Sequence, residues 1–242
     1  MKASPAHQSP APIAAATEAP PAASGHTVLG RGLYAVLWVL CRVLGVSIFG
    51  VRLHFAEPLP QRGGLLVISS HQSHFDPLLL GLASPRRLSS LARSSLYAFK
   101  PFAAVITALD AIAINRETST IQAMRTVIQR LQSGGAVVVF PEGTRTDDGR
   151  LGEIKNGFAL LAKRAGVPIM PVAIVGAFEC WPRSQRWPRP GRIRLEFGRL
   201  LTVAEIARMD EGEIVAECRQ RLQQLDARAR AVRAGCPTDA RV

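Results

Sequence analysis

The chain has 242 residues, of which 48% are hydrophobic, and it carries a formal net charge of +12 at pH 7. This length is enough for one well-buried domain with tails, and the hydrophobic fraction excludes a largely disordered chain. So basic a surface favours anionic lipid or an acidic carrier protein as partner, and no nucleic-acid partner is expected because the arginines are scattered and no zinc-finger, helix-turn-helix or RNA-binding block is present.

The N-terminal region divides into a tail and an apolar segment. Residues 1–27 are rich in Ala, Pro and Ser without an apolar period, which predicts a disordered tail. Residues 28–52 are about as long as a membrane span, but Arg42 lies near their middle, where an arginine costs roughly 3 kcal/mol on insertion scales. We predict a membrane-associated helical segment and leave open a span, a helix in the interface and a re-entrant pair. The remaining alternative is a buried amphipathic helix of a soluble fold.

Strand-like and helix-like segments alternate from residue 53 onwards. Apolar and β-branched runs predict strands at 65–68, 88–92, 111–115, 136–140, 167–175 and 193–197. Helical spacing, with proline or glycine at some ends, predicts helices at 76–83, 95–109, 121–131, 156–165 and 211–232. The alternation indicates an α/β domain over residues 53–233, a layered sheet with flanking helices, followed by a tail at 234–242.

A histidine and an aspartate follow the first predicted strand, separated by four residues. His71 comes at the carboxyl end of the strand, and Asp76 opens the helix. At such a junction one imidazole nitrogen can take a proton from a substrate hydroxyl while the carboxylate orients the other nitrogen. We predict His71 as general base and Asp76 as its orienting partner. His74 is interpreted as structural or lining, because the sequence supplies no third ligand cluster for a metal.

A second polar segment follows the strand at 136–140. It contains Glu142, Gly143, Thr144 and Arg145. Glycine permits close backbone approach, threonine offers a hydroxyl, and the arginine fork can hold a phosphate with two hydrogen bonds. Arg116, at the end of another strand, could add a second cation to the same phosphate. Together the two segments predict an enzyme that activates a hydroxyl on a phosphorylated substrate.

The ordered motifs resemble those of the glycerolipid acyltransferase family, which includes 1-acyl-glycerol-3-phosphate acyltransferases. The family's His-x4-Asp block matches residues 71–76, and its Phe-Pro-Glu-Gly-Thr-Arg block matches residues 140–145. Residues 112–116 resemble its second block and residues 167–172 its fourth, although Asp110 stands where Gly is usual and Asn115 where Asp is usual. Lys155 resembles the lysine that follows the third block, which shapes the pocket or meets the acyl donor.

This resemblance implies an O-acyltransferase with a glycerol-3-phosphate acyltransferase-like fold. The expected reaction moves an acyl chain from acyl-CoA or acyl carrier protein to 1-acyl-glycerol-3-phosphate and gives phosphatidic acid. No metal or bound cofactor is expected, membrane lipids are expected partners, and the expected location is the cytoplasmic face of the inner or plasma membrane. Two alternatives stay open: glycerol-3-phosphate or another lysolipid, such as a lyso-aminolipid, as acceptor, and a non-catalytic basic membrane-binding protein.

Overall fold

The structure, a computed structural model, describes residues 45–93, 112–114 and 120–235, together with residues 39 and 43. The strands are β1 (Arg52–Phe55), β2 (Leu65–Ser69), β3 (Leu88–Arg93), β4 (Ile112–Ile114), β5 (Ala136–Val139), β6 (Ile169–Val175) and β7 (Arg194–Phe197). The labelled helices are α1 (Asp76–Ala83), α2 (Thr120–Gln132), α3 (Gly157–Ala165), α4 (Ala177–Cys180), α5 (Val203–Arg208) and α6 (Glu211–Arg233). The α/β prediction is confirmed.

All seven of these strands join one sheet, in the order β1-β7-β6-β2-β5-β3-β4. The strands from β6 to β4 in that order pair in parallel, whereas β7 is antiparallel to β6 and β1 is parallel to β7. The carboxyl ends of the parallel strands therefore share one edge of the sheet, which we call the catalytic edge. Because β1 and β7 run the other way, their amino ends reach the same edge.

The hydrophobic core lies on both faces of the sheet, and β2 divides it. Leu65 and Val67 pack into one apolar cluster with residues of α1, and Leu66 and Ile68 pack into a second cluster with residues of α2, α3 and α6. This alternation follows from the period of two along a strand. All five residues of β2 are buried, as expected for a central parallel strand covered on both faces. The loop that leaves β2 therefore starts from a rigid element.

The six predicted strands are confirmed, with small shifts at their ends, and the predicted helices are found wherever the structure describes them. The predicted helix at 95–109 lies outside the described residues. The strand β1 and the helices α4 and α5 were not predicted. The strand β1 and the helix α4 have only four residues each, too few for a visible hydrophobic period. The helix α5 has six and begins with a capping box between Thr202 and Glu205.

The N-terminal tail and most of segment 28–52 lie outside the described residues. Where that segment is described, residues 39, 43 and 45–49 are helical, and β1 begins at Arg52. Within the described part of the chain, no helix has the length and apolar character needed to cross a membrane.

Candidate active site

His71 and Asp76 form a hydrogen-bonded pair at the catalytic edge. Asp76 is the first residue of α1, and its Oδ2 lies 2.8 Å from Nδ1 of His71. The Asp76 side chain is fully buried, whereas that of His71 is 20% exposed. A carboxylate at Nδ1 favours the tautomer with its proton on that nitrogen and leaves the lone pair on Nε2. The geometry is that of a base and its orienting partner.

The carboxylate of Asp76 is fixed by the backbone as well. Its Oδ2 also accepts hydrogen bonds from the N–H groups of Gln72 at 2.5 Å and Ser73 at 2.7 Å. Complete burial raises the pKa of Asp76 above its ordinary value, and the hydrogen bonds from His71, Ser73 and Gln72 act in the opposite direction. The loop between β2 and α1 therefore wraps around the carboxylate that orients the histidine.

Glu142 connects the two conspicuous motifs of the sequence. Its Oε1 accepts a 2.8 Å hydrogen bond from the backbone N–H of His71, and its Oε2 accepts a 3.0 Å bond from the N–H of Gly152. The residue is only 6% exposed, and burial, ahead of the opposing hydrogen bonds, raises the pKa of its carboxyl group. Both oxygens are thus engaged with the protein's own backbone. The observed contacts are those of a group that positions His71.

The turn after Glu142 presents polar groups beside this pair. Gly143 has a φ of +73°, a left-handed conformation that favours glycine, and the Nζ of Lys155 would lie 3.1 Å from a Cβ at that position. Gly143 and Thr144 are exposed and Arg145 is partly buried. The turn therefore brings Lys155 and the predicted phosphate-binding residues together. Arg116 lies outside the described residues.

The histidine is also held by residues on either side of this turn. The Phe140 ring stacks on the His71 ring, with centroids 4.0 Å apart and an angle of 16° between the planes. The N–H of Thr146 donates a 2.8 Å hydrogen bond to the carbonyl oxygen of His71. Ring, backbone N–H and backbone carbonyl of His71 are all constrained, so its orientation is set before a substrate arrives.

His74 lies beside the pair and does not bond to Asp76. Its ring centroid is 4.9 Å from that of Trp181. Desolvation by partial burial, followed by the positive charge of Arg145 and an electrostatic interaction with His71, lowers the pKa of His74. Among the described residues, no cluster of His, Cys, Asp or Glu could hold a metal ion. The interpretation of His74 as structural or lining stays a prediction.

Three residues that the sequence did not single out support the site. The carbonyl oxygen of Gly149 accepts a 3.0 Å hydrogen bond from Nε2 of Gln72 and a 2.6 Å bond from Nη2 of Arg230. Gln72 lies inside the first motif, but nothing in the sequence distinguishes it from its neighbours. Gly149 belongs to an Asp-Asp-Gly turn signal, and Arg230 comes from α6 without any local signal.

Comparisons with known proteins show which family this chain resembles. The family model described as Acyltransferase matches residues 50–175, more than half of the chain. The 1-acyl-sn-glycerol-3-phosphate acyltransferase of Bacillus subtilis is 27% identical over 72% of this chain and 85% of that protein. The enzyme of that name from Streptococcus pneumoniae is 30% identical over 81% of this chain and 74% of that protein.

A solved structure supports the fold. The crystal structure of the 1-acyl-sn-glycerophosphate acyltransferase of Thermotoga maritima superposes with a TM-score of 0.73 at 22% identity, and the match covers 84% of this chain and 81% of that one. Family model, relatives and site geometry lead to one conclusion. This chain belongs to the acyltransferase family.

Proposed function

We propose that this protein is an O-acyltransferase that transfers an acyl chain from a thioester donor to the free hydroxyl of 1-acyl-glycerol-3-phosphate, giving phosphatidic acid. The observation that carries the proposal is the hydrogen bond from the backbone N–H of His71, the partner of Asp76, to Glu142, which directly precedes the Gly143–Arg145 turn. It places side by side two motifs whose chemistry suits a hydroxyl and a phosphate. The names of the relatives from Bacillus subtilis and Streptococcus pneumoniae support the choice of acceptor.

His71 acts as the general base in the proposed reaction. Its Nε2 takes the proton of the acceptor hydroxyl as the hydroxyl oxygen attacks the thioester carbonyl carbon. The tetrahedral intermediate then collapses, the carbon–sulfur bond breaks, and the departing thiolate takes the proton from the imidazolium. Asp76 holds the tautomer and stabilises the imidazolium between these steps. Donor and acceptor supply every reacting atom, so this chemistry requires neither a metal nor a bound cofactor.

The acceptor phosphate binds at the turn that follows β5. Arg145 offers a planar fork of donors, Thr144 a hydroxyl, and Gly143 a backbone that a ligand can approach closely. Lys155 adds an ammonium group beside Gly143, and Arg116 supplies a further cation. Glu142 acts differently, since its two oxygens already accept backbone hydrogen bonds; it positions His71 with respect to the bound phosphate.

The reaction takes place at a membrane, because acceptor and product are membrane lipids. Residues 28–52 serve as a membrane-associated segment ahead of the acyltransferase domain at residues 53–233. The active site faces the cytoplasm at the inner or plasma membrane, where acyl-CoA and acyl carrier protein are both accessible as donors. The high basic charge favours either donor, since both are anionic.

Thiol release tests the proposal directly. Purified protein is given an acyl-CoA or an acyl carrier protein thioester with 1-acyl-glycerol-3-phosphate, glycerol-3-phosphate or a lyso-aminolipid in detergent. We expect turnover to be fastest with 1-acyl-glycerol-3-phosphate and His71→Ala to reduce it about 10²- to 10⁴-fold, with His74→Ala as the matched control. Faster turnover with another acceptor would mean that this other molecule, and not 1-acyl-glycerol-3-phosphate, is the preferred acceptor. No thiol release with any acceptor would refute the enzymatic role.

A further inference from the structure

One surface loop at the catalytic edge combines exposed cations with an exposed aromatic ring. We call residues 181–192 the Arg–Trp loop. Trp187 is 73% exposed, and the loop's four arginines, Arg183, Arg186, Arg189 and Arg192, are exposed around it. The sequence contains no acidic residue between 181 and 192. An isolated exposed tryptophan needs no explanation. A tryptophan among four uncompensated positive charges offers both apolar and anion-binding contacts.

The Arg–Trp loop has a defined shape. The Trp181 indole N–H donates to the carbonyl of Gln185 at 3.1 Å, and the N–H of Arg189 donates to the carbonyl of Cys180 at 2.8 Å. Three prolines, at positions 182, 188 and 190, restrict the backbone further. A partner that binds here does not have to order the loop first, which lowers the conformational cost of association.

Topology places the loop beside the active site. It connects β6, which ends at the catalytic edge, to β7, which begins there. Ser73 Oγ donates a 2.7 Å hydrogen bond to the carbonyl of Trp181, and the Trp181 and Phe75 rings make an edge contact at 4.8 Å. The loop is therefore attached to the backbone that wraps around Asp76.

An exposed apolar patch lies next to this loop. The Phe49 and Phe75 rings make an edge contact at 4.8 Å, and the N–H of Ile193 donates to the carbonyl of Phe49. Four apolar residues in the helix before Phe49 are each between 43% and 57% exposed: Val39, Val43, Val46 and Ile48. The helix that carries these aliphatic side chains therefore ends beside the loop that carries the tryptophan and the four arginines.

We propose that the Arg–Trp loop, together with this apolar patch, is the surface by which the catalytic edge docks on an anionic lipid bilayer. A bilayer offers phosphates at its surface and hydrocarbon just beneath, which matches arginines beside aliphatic and indole side chains. An acidic protein or a nucleic acid would satisfy the charges but not the apolar patch. The proposal rests on the proposed function only in that the acceptor is a lipid.

Vesicle binding tests this docking surface without using turnover. Full-length protein is sedimented with vesicles of phosphatidylcholine alone or with 30 mol% phosphatidylglycerol, a composition of roughly biological charge density, at low and high salt. One variant combines Arg183→Gln, Arg186→Gln and Arg189→Gln. Its control removes three exposed arginines elsewhere, with Arg62→Gln, Arg125→Gln and Arg208→Gln.

The apolar contribution is tested with a second matched pair. Trp187→Ala is compared with Ile121→Ala, since Ile121 is similarly exposed, at 63%, but lies on α2. Binding to neutral vesicles is the readout, because it isolates burial of the side chain from attraction of charge. Each variant is also assayed for thiol release with detergent-dispersed acceptor, which reports folding and chemistry independently of docking.

We expect the triple variant to bind anionic vesicles at least about tenfold more weakly than its control at low salt, with the difference shrinking at high salt. Trp187→Ala should weaken binding to both vesicle types, and detergent activity should stay within about twofold. Equal binding of the triple variant and its control would overturn the proposal. So would unchanged vesicle binding with a raised KM for acyl carrier protein, which would make the loop a carrier-protein surface. Absence of detergent activity in the wild type would refute the proposed function and leave the vesicle result to stand on its own.

Discussion

The backbone N–H of His71 and Oε1 of Glu142 are joined by a 2.8 Å hydrogen bond across 71 positions of the chain. The register of the sheet explains how they meet. Ile68 of β2 lies opposite Val139 of β5, and three residues beyond each of them come His71 and Glu142. Two motifs that are far apart in sequence are thus placed side by side by one parallel strand pair.

Glu142→Gln should slow catalysis by loosening His71. The substitution keeps the size of the side chain. In the wild type the backbone N–H groups of His71 and Gly152 each donate to one carboxylate oxygen. In the variant one of these two N–H groups faces an amide NH₂ and loses its acceptor. We expect the free energy of unfolding to fall by about 1–3 kcal/mol, the cost of an unsatisfied buried donor, and kcat to fall roughly tenfold as His71 loses its fixed orientation. Thermal unfolding and initial rates measure both effects. A lower kcat without any loss of stability would instead indicate direct contact with substrate.

Asp76→Asn should separate activity from stability. Burial raises the pKa of Asp76 in the folded protein, because the folded state favours the protonated carboxyl group. This contribution to the free energy of unfolding is fully present below the unfolded pKa, about 4. It is lost as pH rises through the folded pKa. Asparagine does not ionise. The stability of the variant relative to wild type should therefore increase with pH across that window, while turnover falls by about 10²-fold or more.

The measurement is thermal unfolding of both proteins at a series of pH values. His71→Gln serves as a control, since it removes the histidine and leaves the buried carboxyl group in place. A stability difference between Asp76→Asn and wild type that stays constant with pH would contradict the raised pKa.

Arg145→Ala and Lys155→Ala should act on the phosphorylated acceptor. A charge-assisted hydrogen bond contributes about 1.5–3 kcal/mol, so each variant should raise the KM of the acceptor roughly 10- to 100-fold with little change in the KM of the donor. Arg145→Lys should recover only part of the loss, because an ammonium group lacks the planar fork. Lys163→Ala, at an exposed lysine on α3, is the matched control for charge. An unchanged acceptor KM in both test variants would place the phosphate elsewhere.

Arg230→Met should impair the site from a distance. Its Nη2 donates to the carbonyl of Gly149, which also accepts from Gln72, and the backbone N–H of Gln72 donates to Asp76. We expect kcat to fall about three- to tenfold at unchanged KM, together with roughly 1 kcal/mol of stability, the usual contribution of one such hydrogen bond.

Arg221→Met is the control for Arg230→Met. Arg221 also lies on α6 and donates to the carbonyls of Arg199 and Leu200, which do not contact the site. Its loss should lower stability similarly and leave kcat unchanged. An equal fall in kcat for both variants would mean that α6 acts only through general stability.

The parts of the site that are local in sequence were predictable. Asp76 and His71 lie in one loop between a strand and a helix, and the β-branched run before Phe140 predicts the strand that presents Arg145. The assignment of the two motifs to one site followed from their chemistry and from the resemblance to a family. Their common edge then follows from parallel pairing.

The parts that depend on contacts between distant segments were not predictable. Arg230 meets Gly149 across 81 positions, and no residue near either marks the contact. Glu142 is predicted to bind substrate because it lies in the motif, and its two hydrogen bonds to the backbone N–H groups of His71 and Gly152 had no signal in the sequence. The strand β1 was missed because its four residues alternate between polar and apolar over too short a stretch for the period to be visible.

The pairing of β1 with β7 has a consequence for the order of folding. Among the described strands, β1 is the first to be synthesised and β7 the last, and β1 pairs only with β7, with Arg52 opposite Arg194. Until residues 194–197 leave the ribosome, β1 has no partner, and contacts of such large sequence separation form slowly. The apolar segment that precedes β1 therefore becomes available to lipid or chaperone well before the sheet that it borders is complete.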